Sequence, residues 1–368
     1  MEKIGIDLSH SCLKPTRGIG VHERNIGIPR KIGKHYKIYV FGVGKRPNEL
    51  QSNINYVNTH FKNHLLREQF IIPFWVFFLG LKKLHLFSNV APVFLKFNKH
   101  CEIFLTIHDV SFKYAKSYFE KSISFVNFRR RIALNYHSYL FEYSIKKAVK
   151  IFTVSSWALN EIFRYSSVKI KDKIFVVNNE VDKRYLSDPL PKWDNKNNEI
   201  LIVSGSHPQK NMDFLLGNLI RHNENNNLLA GYSINIVGIE SSYLNSKYAR
   251  ENNFYFYGQL ENKELIKLYD RAKLLIMPSL FESFSIPIIE AESRNIWILS
   301  SANGATKEIA PDYTIFFDPR NKTSFDDSLE NIFKKLSNAP RRRKDMRYRF
   351  SSSSDKYWRI CYDAEISN

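Results

Sequence analysis

Residues 274–301 read LLIMPSLFESFSIPIIEAESRNIWILSS, and this stretch decides the fold. It begins with a short apolar run, Leu274–Met277, which has the length of a strand and no helical periodicity. A loop over Leu280–Ile286 follows, and Pro287 favours the first turn of a helix, because its missing N–H would have no partner there. A second apolar run, Ile296–Leu299, predicts another strand. The stretch therefore predicts a strand, a loop, a helix and a strand, the repeating unit of a parallel α/β sheet.

Two carboxylates stand eight positions apart in this unit, Glu282 in the loop and Glu290 in the helix. Loops at the carboxyl ends of parallel strands are where such sheets bind ligands, and a helix N-terminus attracts anions there. We expect the backbone amides of Phe284, Ser285 and Ile286 to face an anion, and the two acids to bind hydroxyl groups of the same ligand. A diphosphate flanked by two sugars fits this arrangement. The alternative is an ordinary amphipathic helix with a solvated Glu290.

The segment FESFSIPIIEA, residues 281–291, resembles the E-x7-E segment of the retaining glycosyltransferases of family 4, which have the GT-B fold. The resemblance implies an α/β protein with two Rossmann-like domains that face each other across a cleft. It also implies that Glu290 binds the ribose of a nucleotide and that Glu282 is a catalytic residue near the donor sugar. The amides of residues 284–286 would then contact the sugar and its phosphates.

Three positions depart from that family pattern. Ser283 and Ser285 stand where the family often has glycine, and Asn295 replaces a glycine that ends the helix. Asparagine tolerates the left-handed backbone conformation, so we expect the turn after the helix to persist. The two serines suggest an altered donor.

Composition sets the broad class of the protein. A chain of 368 residues favours two domains with separate cores. Its three cysteines are far apart and show no disulfide or zinc spacing, which favours a reducing, cytoplasmic compartment. We expect no signal peptide before the first strand, Lys3–Leu8, and the longest apolar run, Phe70–Leu81, is too short to span a bilayer. The formal charge of +19 predicts acidic partners such as nucleic acid, anionic lipid or phosphorylated substrates.

The first half of the chain carries two further motifs. Gly18 and Gly20 follow the first strand, where glycines let the backbone approach a ligand. They resemble the T-G-I-G segment of family 4, which implies that they lie beside the donor diphosphate, with Arg17 as an additional charge. The strand Ile103–Ile107 ends at His108, and TIHDVSF resembles the family's T-x-H-D-L-x-F segment. The resemblance places His108 near the donor sugar and the acceptor, as a catalytic residue that positions hydroxyls or assists proton transfer.

The second half begins with another strand, Glu199–Ser204, followed by a loop with Gly205 and by Lys210 ahead of a helix. A lysine in this position supplies a point charge to a phosphate. The segment resembles the family's G-x-x-x-P-R-K-N, which implies that Lys210 contacts the donor phosphates and stabilises the leaving diphosphate. Gln209 replaces the frequent arginine, so Lys210 is expected to carry most of this charge. Gly258 corresponds to the loop that packs against the nucleotide base.

Two surfaces could bind acidic partners. The apolar stretch Arg67–Leu84 predicts a helix pair, either buried in the core or lying on a membrane surface. The residues that would enter or flank the lipid are Trp75, Phe77, Phe78, Lys82 and Lys83. The basic run Lys121–Lys150 is either a solvated face or a surface for anionic membrane. No helix-turn-helix, zinc finger or RNP-like pattern stands beside the charge, which argues against nucleic acid.

These features predict an N-terminal acceptor domain over 1–185, a linker over 186–198, a donor domain over 199–345 and a helix over 346–368 that returns to the first domain. The resemblance implies a metal-independent retaining transferase. It would move a hexose or deoxyhexose, mannose-type favoured, from a nucleotide sugar such as GDP-mannose to a saccharide or lipid-diphosphate-linked acceptor in surface polysaccharide synthesis. The enzymatic alternatives are an inverting transferase and a nucleotide-sugar epimerase. The non-enzymatic alternatives are an inactive GT-B subunit and a basic protein that binds membrane or nucleic acid.

Overall fold

The computed structural model describes residues 1–13, 18–29, 36–112, 128–186, 190–226, 228–240, 252–341 and 352–362. The chain divides into two compact units. The first comprises Met1–Glu180 together with Phe350–Asn368, and the second comprises Val181–Arg349.

The first unit is built on a parallel sheet whose seven described strands follow the order β3-β2-β1-β4-β5-β6-β7. The strands are β1 (Glu2–Asp7), β2 (Tyr36–Gly42), β3 (Asn55–Asn58), β4 (Lys83–Leu86), β5 (Glu102–Thr106), β6 (Lys150–Thr153) and β7 (Ile174–Val176). The principal helices are α1 (Ser9–Leu13), α2 (Gly18–Ile26), α3 (Ile72–Leu79), α4 (Phe128–Lys147) and α5 (Ser156–Tyr165). Two short helical segments, His64–Leu66 and a π-helical turn at Arg67–Ile71, lead into α3.

Alternation along the strands gives this sheet two apolar faces. In β2, Tyr39 and Phe41 belong to one core, whereas Ile38 and Val40 belong to the other. Successive side chains of a strand point to opposite faces, and a parallel sheet is covered on both. The side chain of Ser155 begins α5 by accepting a hydrogen bond from the backbone N–H of Ala158 (3.0 Å), which confirms the predicted cap.

The prediction of a helix pair over Arg67–Leu84 is wrong in its last part. The helix ends at Leu79, because Gly80 adopts a left-handed conformation (φ 64°) that closes the turn. The chain then enters β4, which pairs with β1 on one side and β5 on the other. This short strand lies at the centre of the sheet, and its neighbours, rather than its own four residues, determine its conformation.

The last described helix, α11 (Ser352–Tyr362), belongs to the first unit. Tyr357 and Trp358 lie in the same core as Ile4 and Ile6. The indole N–H of Trp358 donates to the carbonyl of Ile26 (2.9 Å). Packing and this hydrogen bond therefore hold α11 against the sheet.

The second unit is built on a parallel sheet whose six described strands follow the order β10-β9-β8-β11-β12-β13. The strands are β8 (Glu199–Val203), β9 (Ser233–Val237), β10 (Phe254–Phe256), β11 (Leu274–Met277), β12 (Trp297–Ser301) and β13 (Ile315–Phe317). The helices are α6 (Met212–Asn226), α7 (Asn262–Arg271), α8 (Ile286–Ser293), α9 (Thr306–Ile309) and α10 (Lys322–Phe333). The predicted strand, loop, helix and strand at 274–301 are thus confirmed as β11, α8 and β12.

Both sheets have the same winding. In each, the chain builds outward from a central strand to one edge, returns beside that strand and then builds toward the other edge. The strand order therefore reverses between β1 and β4 in the first unit and between β8 and β11 in the second. Open α/β sheets bind their ligands outside the carboxyl ends of the strands at such a reversal. These two places are where a site is expected.

Candidate functional site

The reversal in the second sheet brings two loops together. One follows β8 and contains Lys210, and the other follows β11 and contains Glu282. The backbone N–H of Leu280 donates to the carbonyl of Gln209 (2.7 Å), and the side-chain amide of Asn211 donates to the carbonyl of Pro278 (3.2 Å). These bonds join the two loops and fix the position of Lys210.

Lys210 and Glu282 form an ion pair. The ammonium group of Lys210 donates to Oε1 of Glu282 (2.6 Å), and the hydroxyl of Ser279 donates to the same oxygen (2.6 Å). The structure thus brings together two of the predicted site residues, at the reversal of strand order. Ser279 is a third member of the cluster that the sequence analysis did not identify.

Gly304 supports the backbone of Glu282. It has a left-handed conformation (φ 70°), and a Cβ atom there would lie 2.3 Å from the carbonyl oxygen of Glu282. The backbone N–H of Ala305 donates to that same oxygen (2.7 Å). Only glycine fits this close approach, so Gly304 is a positioning residue for the site. The NGA sequence of residues 303–305 indicates a turn, but it does not show which loop the turn contacts.

The N-terminus of α8 follows Glu282 directly. Ser285 precedes the helix in a left-handed conformation (φ 83°), and Pro287 lies in the first turn, as predicted. The backbone N–H groups of Ser285 and Ile286 have no acceptor among the described residues. Phe284 is buried beside them. Free N–H groups at a helix N-terminus attract an anion. At the other end of α8, Asn295 adopts the predicted left-handed conformation (φ 56°).

Glu290 lies on α8 and is buried. Its Oε2 accepts a hydrogen bond from the phenol of Tyr269 (2.8 Å). Burial raises the pKa of Glu290 to about 7, although the hydrogen bond from Tyr269 opposes this effect. Burial, together with the neighbouring Glu290, also raises the pKa of Tyr185, which packs edge-on against Tyr269. Glu290 is therefore not a solvated surface residue, and the aromatic residues around it were not predicted.

Three glycines line the carboxyl ends of β8 to β10. Gly205 has no atom within 4 Å of the position where a Cβ would lie, so space remains open beside it. Gly258 has a left-handed conformation (φ 59°), and its carbonyl accepts from the N–H of Gly238 (2.5 Å). A Cβ at Gly238 would lie 2.0 Å from the carbonyl oxygen of Ser204, so this glycine is required where the loops of β8 and β9 touch.

His108 lies in the first unit, directly after β5. It is buried, and its Nε2 lies 3.0 Å from the carbonyl oxygen of Phe87, which can only accept, so Nε2 carries the hydrogen. Burial lowers the pKa of His108 to about 4, and the imidazole is neutral near pH 7. Its ring packs edge-on against His22, 4.7 Å between centroids. His108 can therefore position a hydroxyl group, but it is a weak base.

Gly18 and Gly20 lie in the first turn of α2 rather than in the loop before it, which corrects the prediction. Glycine is tolerated there because α2 is a short helix held by tertiary contacts, among them the bond between Nδ1 of His22 and Oδ1 of Asn179 (2.6 Å). Arg17 lies outside the described residues. The predicted basic run Lys121–Lys150 lies partly outside them as well.

No helix in the described part of the chain is long and apolar enough to cross a membrane. Within the same residues, no group of three or more His, Cys, Asp or Glu side chains is arranged to hold a metal ion.

Comparison with known proteins bears on the second unit first. Residues 188–350 match the family model of the group 1 glycosyl transferases. Over 229 residues the chain is 26% identical to the O-antigen chain mannosyltransferase RfbU of Salmonella typhimurium, an alignment covering 62% of this chain and 60% of RfbU. The chain is also 31% identical over 113 residues to an uncharacterized 41.2 kDa protein in the cps region of Klebsiella pneumoniae. That alignment covers 31% of this chain and 30% of that protein.

Solved structures resemble the whole chain. Sucrose-phosphate synthase from Thermosynechococcus elongatus superimposes with a TM-score of 0.69 at 13% identity, over 97% of this chain and 94% of that one. WaaG, a glycosyltransferase involved in lipopolysaccharide biosynthesis, superimposes with a TM-score of 0.64 at 15% identity, over 99% of this chain and 96% of that one. The chain has the GT-B fold. The two parallel sheets with the same winding are the two halves of that fold, as the sequence predicted.

Proposed function

We propose that this protein is a glycosyltransferase that takes its sugar from a nucleotide diphosphate sugar bound to the second unit. The observation that carries the proposal is the cluster at the reversal of strand order between β8 and β11. There, Lys210, the N–H groups of Ser285 and Ile286 at the start of α8, and the buried Glu290 belong to connected loops and one helix. A cation and a helix N-terminus suit a diphosphate, and a carboxylate suits the hydroxyls of a ribose. The match of residues 188–350 supports the same assignment.

Each group of the cluster has a distinct part in the proposed reaction. Lys210 and the amides of Ser285 and Ile286 stabilise the charge that grows on the diphosphate as its bond to the sugar breaks. Such stabilisation of developing charge is usually the largest catalytic contribution. Glu282, which accepts hydrogen bonds from Lys210 and Ser279, binds a hydroxyl of the transferred sugar. His108, neutral and buried, positions a hydroxyl in the first unit. No metal ion is required in this proposal.

The substrate is proposed more finely from the relatives. The similarity to a protein described as an O-antigen mannosyltransferase favours a mannose-type donor such as GDP-mannose. It also favours a saccharide or lipid-diphosphate-linked acceptor in surface polysaccharide synthesis, with retention at the anomeric carbon. Ser285 replaces the glycine frequent in the resembling family, which favours a donor that differs from the family's usual one. A cytoplasmic location follows from the use of a nucleotide sugar.

A contact with the membrane is part of the proposal. Six phenylalanines of the first unit, which we call the aromatic surface, are between 44% and 77% exposed. They are Phe70, Phe74, Phe77, Phe78, Phe94 and Phe97. Phe70 and Phe94 touch (4.9 Å between centroids), so residues from the π-helical turn and from the segment after β4 form one patch. Exposed aromatic residues on a protein of net charge +19 suit the interface of an anionic bilayer.

The structure modifies the predicted residue set for this contact. Trp75 packs against the core and is only partly exposed, whereas Phe74, not predicted, is exposed. Lys83 forms an ion pair with Glu2 (3.3 Å), whereas Lys82 is exposed. Lys82 is therefore the better placed of the two to contact lipid head groups. Sedimentation with vesicles of phosphatidylglycerol should fall in the Phe74→Ser/Phe78→Ser variant and persist in the wild type. Equal sedimentation of both would contradict the contact.

The donor site is tested by thermal unfolding with a panel of UDP, GDP, dTDP, CMP and sugar nucleotides. A ligand at a hundredfold excess over its Kd stabilises a protein by about 2.7 kcal/mol. One nucleotide diphosphate should raise the Tm of the wild type and have no effect on Lys210→Ala or Glu290→Gln. The exposed Glu264→Gln serves as the control in the same unit. If no nucleotide shifts the wild type at millimolar concentration, the proposed function is wrong.

A further inference from the structure

The two carboxylate oxygens of Glu282 have different surroundings. Oε1 accepts hydrogen bonds from the ammonium of Lys210 (2.6 Å) and from the hydroxyl of Ser279 (2.6 Å). Oε2 has no hydrogen-bond partner in the part of the chain that the structure describes, and it is not enclosed. Each carboxylate oxygen offers about two lone-pair positions. The protein therefore occupies Oε1 and leaves Oε2 open to a ligand.

The two donors to Oε1 respond differently to a diphosphate. Lys210 is a cation on a long side chain that is 25% exposed, so a diphosphate competes with Glu282 for its ammonium group. Ser279 is neutral, short and 1% exposed, so no anion draws its hydroxyl away from the carboxylate. Once Lys210 binds phosphate oxygens, Ser279 is the donor that keeps Oε1 in place.

The backbone on both sides of the Ser279 hydroxyl is fixed. The carbonyl of Ser279 accepts from the hydroxyl of Ser301 at the end of β12, and the carbonyl of Ser301 accepts from the hydroxyl of Thr306 (2.7 Å). The carbonyl of Pro278 accepts from the side-chain amide of Asn211 (3.2 Å). These bonds join Ser279 to the neighbouring strand and to the loop after β8. Its hydroxyl is therefore held in one position.

The hydroxyl of Ser279 contacts the site rather than the backbone of the fold. Among the described residues it makes one hydrogen bond, to Glu282. Ser300 on β12 is also a buried serine, but its hydroxyl donates to the backbone carbonyl of Ser301 (3.2 Å). The two serines thus form a matched pair, in which one hydroxyl holds a carboxylate of the site and the other bonds to the backbone.

We propose that Ser279 is a positioning residue that holds Glu282 while Lys210 is engaged with the diphosphate. This inference rests on the proposed function. Because Oε1 stays bonded to Ser279, Oε2 keeps its orientation and accepts a hydrogen bond from a hydroxyl of the transferred sugar. A free nucleoside diphosphate has no such sugar. Ser279 therefore contributes to the binding of the sugar nucleotide and not to the binding of the nucleoside diphosphate.

Titration calorimetry tests this difference with the nucleoside diphosphate that gives the largest thermal shift and with its sugar nucleotide. Ser279→Ala should weaken the sugar nucleotide about tenfold or more, the effect of one hydrogen bond to a charged group. The Kd of the nucleoside diphosphate should stay within about threefold of the wild type. Ser279→Cys fills the same space with a weaker donor and should show the same selective loss. The matched control, Ser300→Ala, should leave both Kd values unchanged.

A double-mutant cycle shows whether Ser279 acts through Glu282. In a Glu282→Ala background, Ser279→Ala should weaken the sugar nucleotide no further. An additive effect, equal weakening of both ligands, or an unchanged Kd for the sugar nucleotide overturns the inference. If thermal unfolding shows that neither Ser279 variant folds, the residue serves the fold and the inference is also overturned. If the wild type binds no nucleotide, the proposed function fails first.

Discussion

Lys210 and Glu282 are paired at 2.6 Å. The carboxylate balances the charge of the lysine, so a diphosphate that binds Lys210 must compete with Glu282. We predict that Glu282→Gln strengthens the binding of the free nucleoside diphosphate about fivefold, since a partly exposed ion pair contributes up to about 1 kcal/mol. The same variant should slow sugar transfer, because the carboxylate that binds the sugar is lost. Titration calorimetry and a transfer assay measure the two effects.

The control for this prediction is Glu264→Gln, which removes one negative charge from an exposed position of the same unit. It should change neither the affinity nor the rate. Weaker nucleotide binding by Glu282→Gln, or a gain no larger than that of the control, would show that Lys210 does not bind the phosphates.

Gly304 is predicted to tolerate no side chain. Gly304→Ala places a Cβ atom 2.3 Å from the carbonyl oxygen and 2.6 Å from the nitrogen of Glu282, at a backbone φ of 70°. Neither backbone atom can move without shifting Glu282. We expect a loss of at least about 2 kcal/mol of stability, together with weaker nucleotide binding.

Gly217→Ala is the matched comparison for Gly304→Ala. Gly217 lies inside α6, and no atom other than the adjoining helix backbone lies within 4 Å of its added Cβ. Alanine in a helix interior is favoured over glycine by about 0.5–1 kcal/mol, so this variant should be more stable than the wild type. The free energy of unfolding measured in urea should be lower than that of the wild type for Gly304→Ala and higher for Gly217→Ala. The same direction for both would contradict the close contact between Gly304 and Glu282.

Ser285 is strained before α8. It has a φ of 83°, is buried, and its hydroxyl has no partner among the described residues. Ser285→Gly removes both costs, and we predict a gain of about 1 kcal/mol or more in the free energy of unfolding. Ser285→Ala removes only the unpaired hydroxyl and should gain less. If Ser285→Gly is less stable than Ser285→Ala, the left-handed conformation is not the source of the strain.

Local patterns predicted the parts of this protein that depend on neighbours in sequence. The apolar run Leu274–Met277, the turn residues after it and Pro287 each act over a few positions, and β11 and α8 followed them closely. The strand β4 was missed because its residues KLHL follow an apolar helix without a polar break. Its conformation comes from pairing with β1 and β5, which no local window contains.

In the site, too, local sequence predicts single residues and the tertiary structure determines their contacts. Lys210 and Glu282 were each identified from their own loops, but their contact depends on the pairing of β8 with β11. Glu180 has a role that its neighbours in sequence do not predict. In the structure its carboxylate accepts from the backbone N–H of Ser353 (2.6 Å), 173 positions later in the chain, and so caps α11. This contact joins distant positions of the chain, so only the tertiary structure reveals it.

Glu68 gives the first unit a pH-dependent stability. Burial raises its pKa to about 7, against the hydrogen bonds from Tyr136 (2.5 Å) and Gln69 (3.0 Å) that favour the charged form. The folded state therefore holds a proton that the unfolded state releases near pH 4.5. The resulting stabilisation is complete below that pH and is lost as the pH rises through about 7.

Glu68→Gln replaces the buried acid with a neutral group of the same shape that still accepts from Tyr136. The free energy of unfolding of the wild type should fall between about pH 5 and pH 8, and that of Glu68→Gln should fall less. At about pH 8 the variant should therefore be more stable than the wild type by on the order of 2 kcal/mol. The exposed Glu49→Gln should follow the wild type. The pKa of Glu290 is also raised to about 7, so Glu290 makes stability depend on pH in the same direction. This effect is the same in all three proteins and cancels when they are compared. Urea unfolding across this pH range measures the difference, and parallel curves for wild type and Glu68→Gln would show that Glu68 is already ionised in the fold.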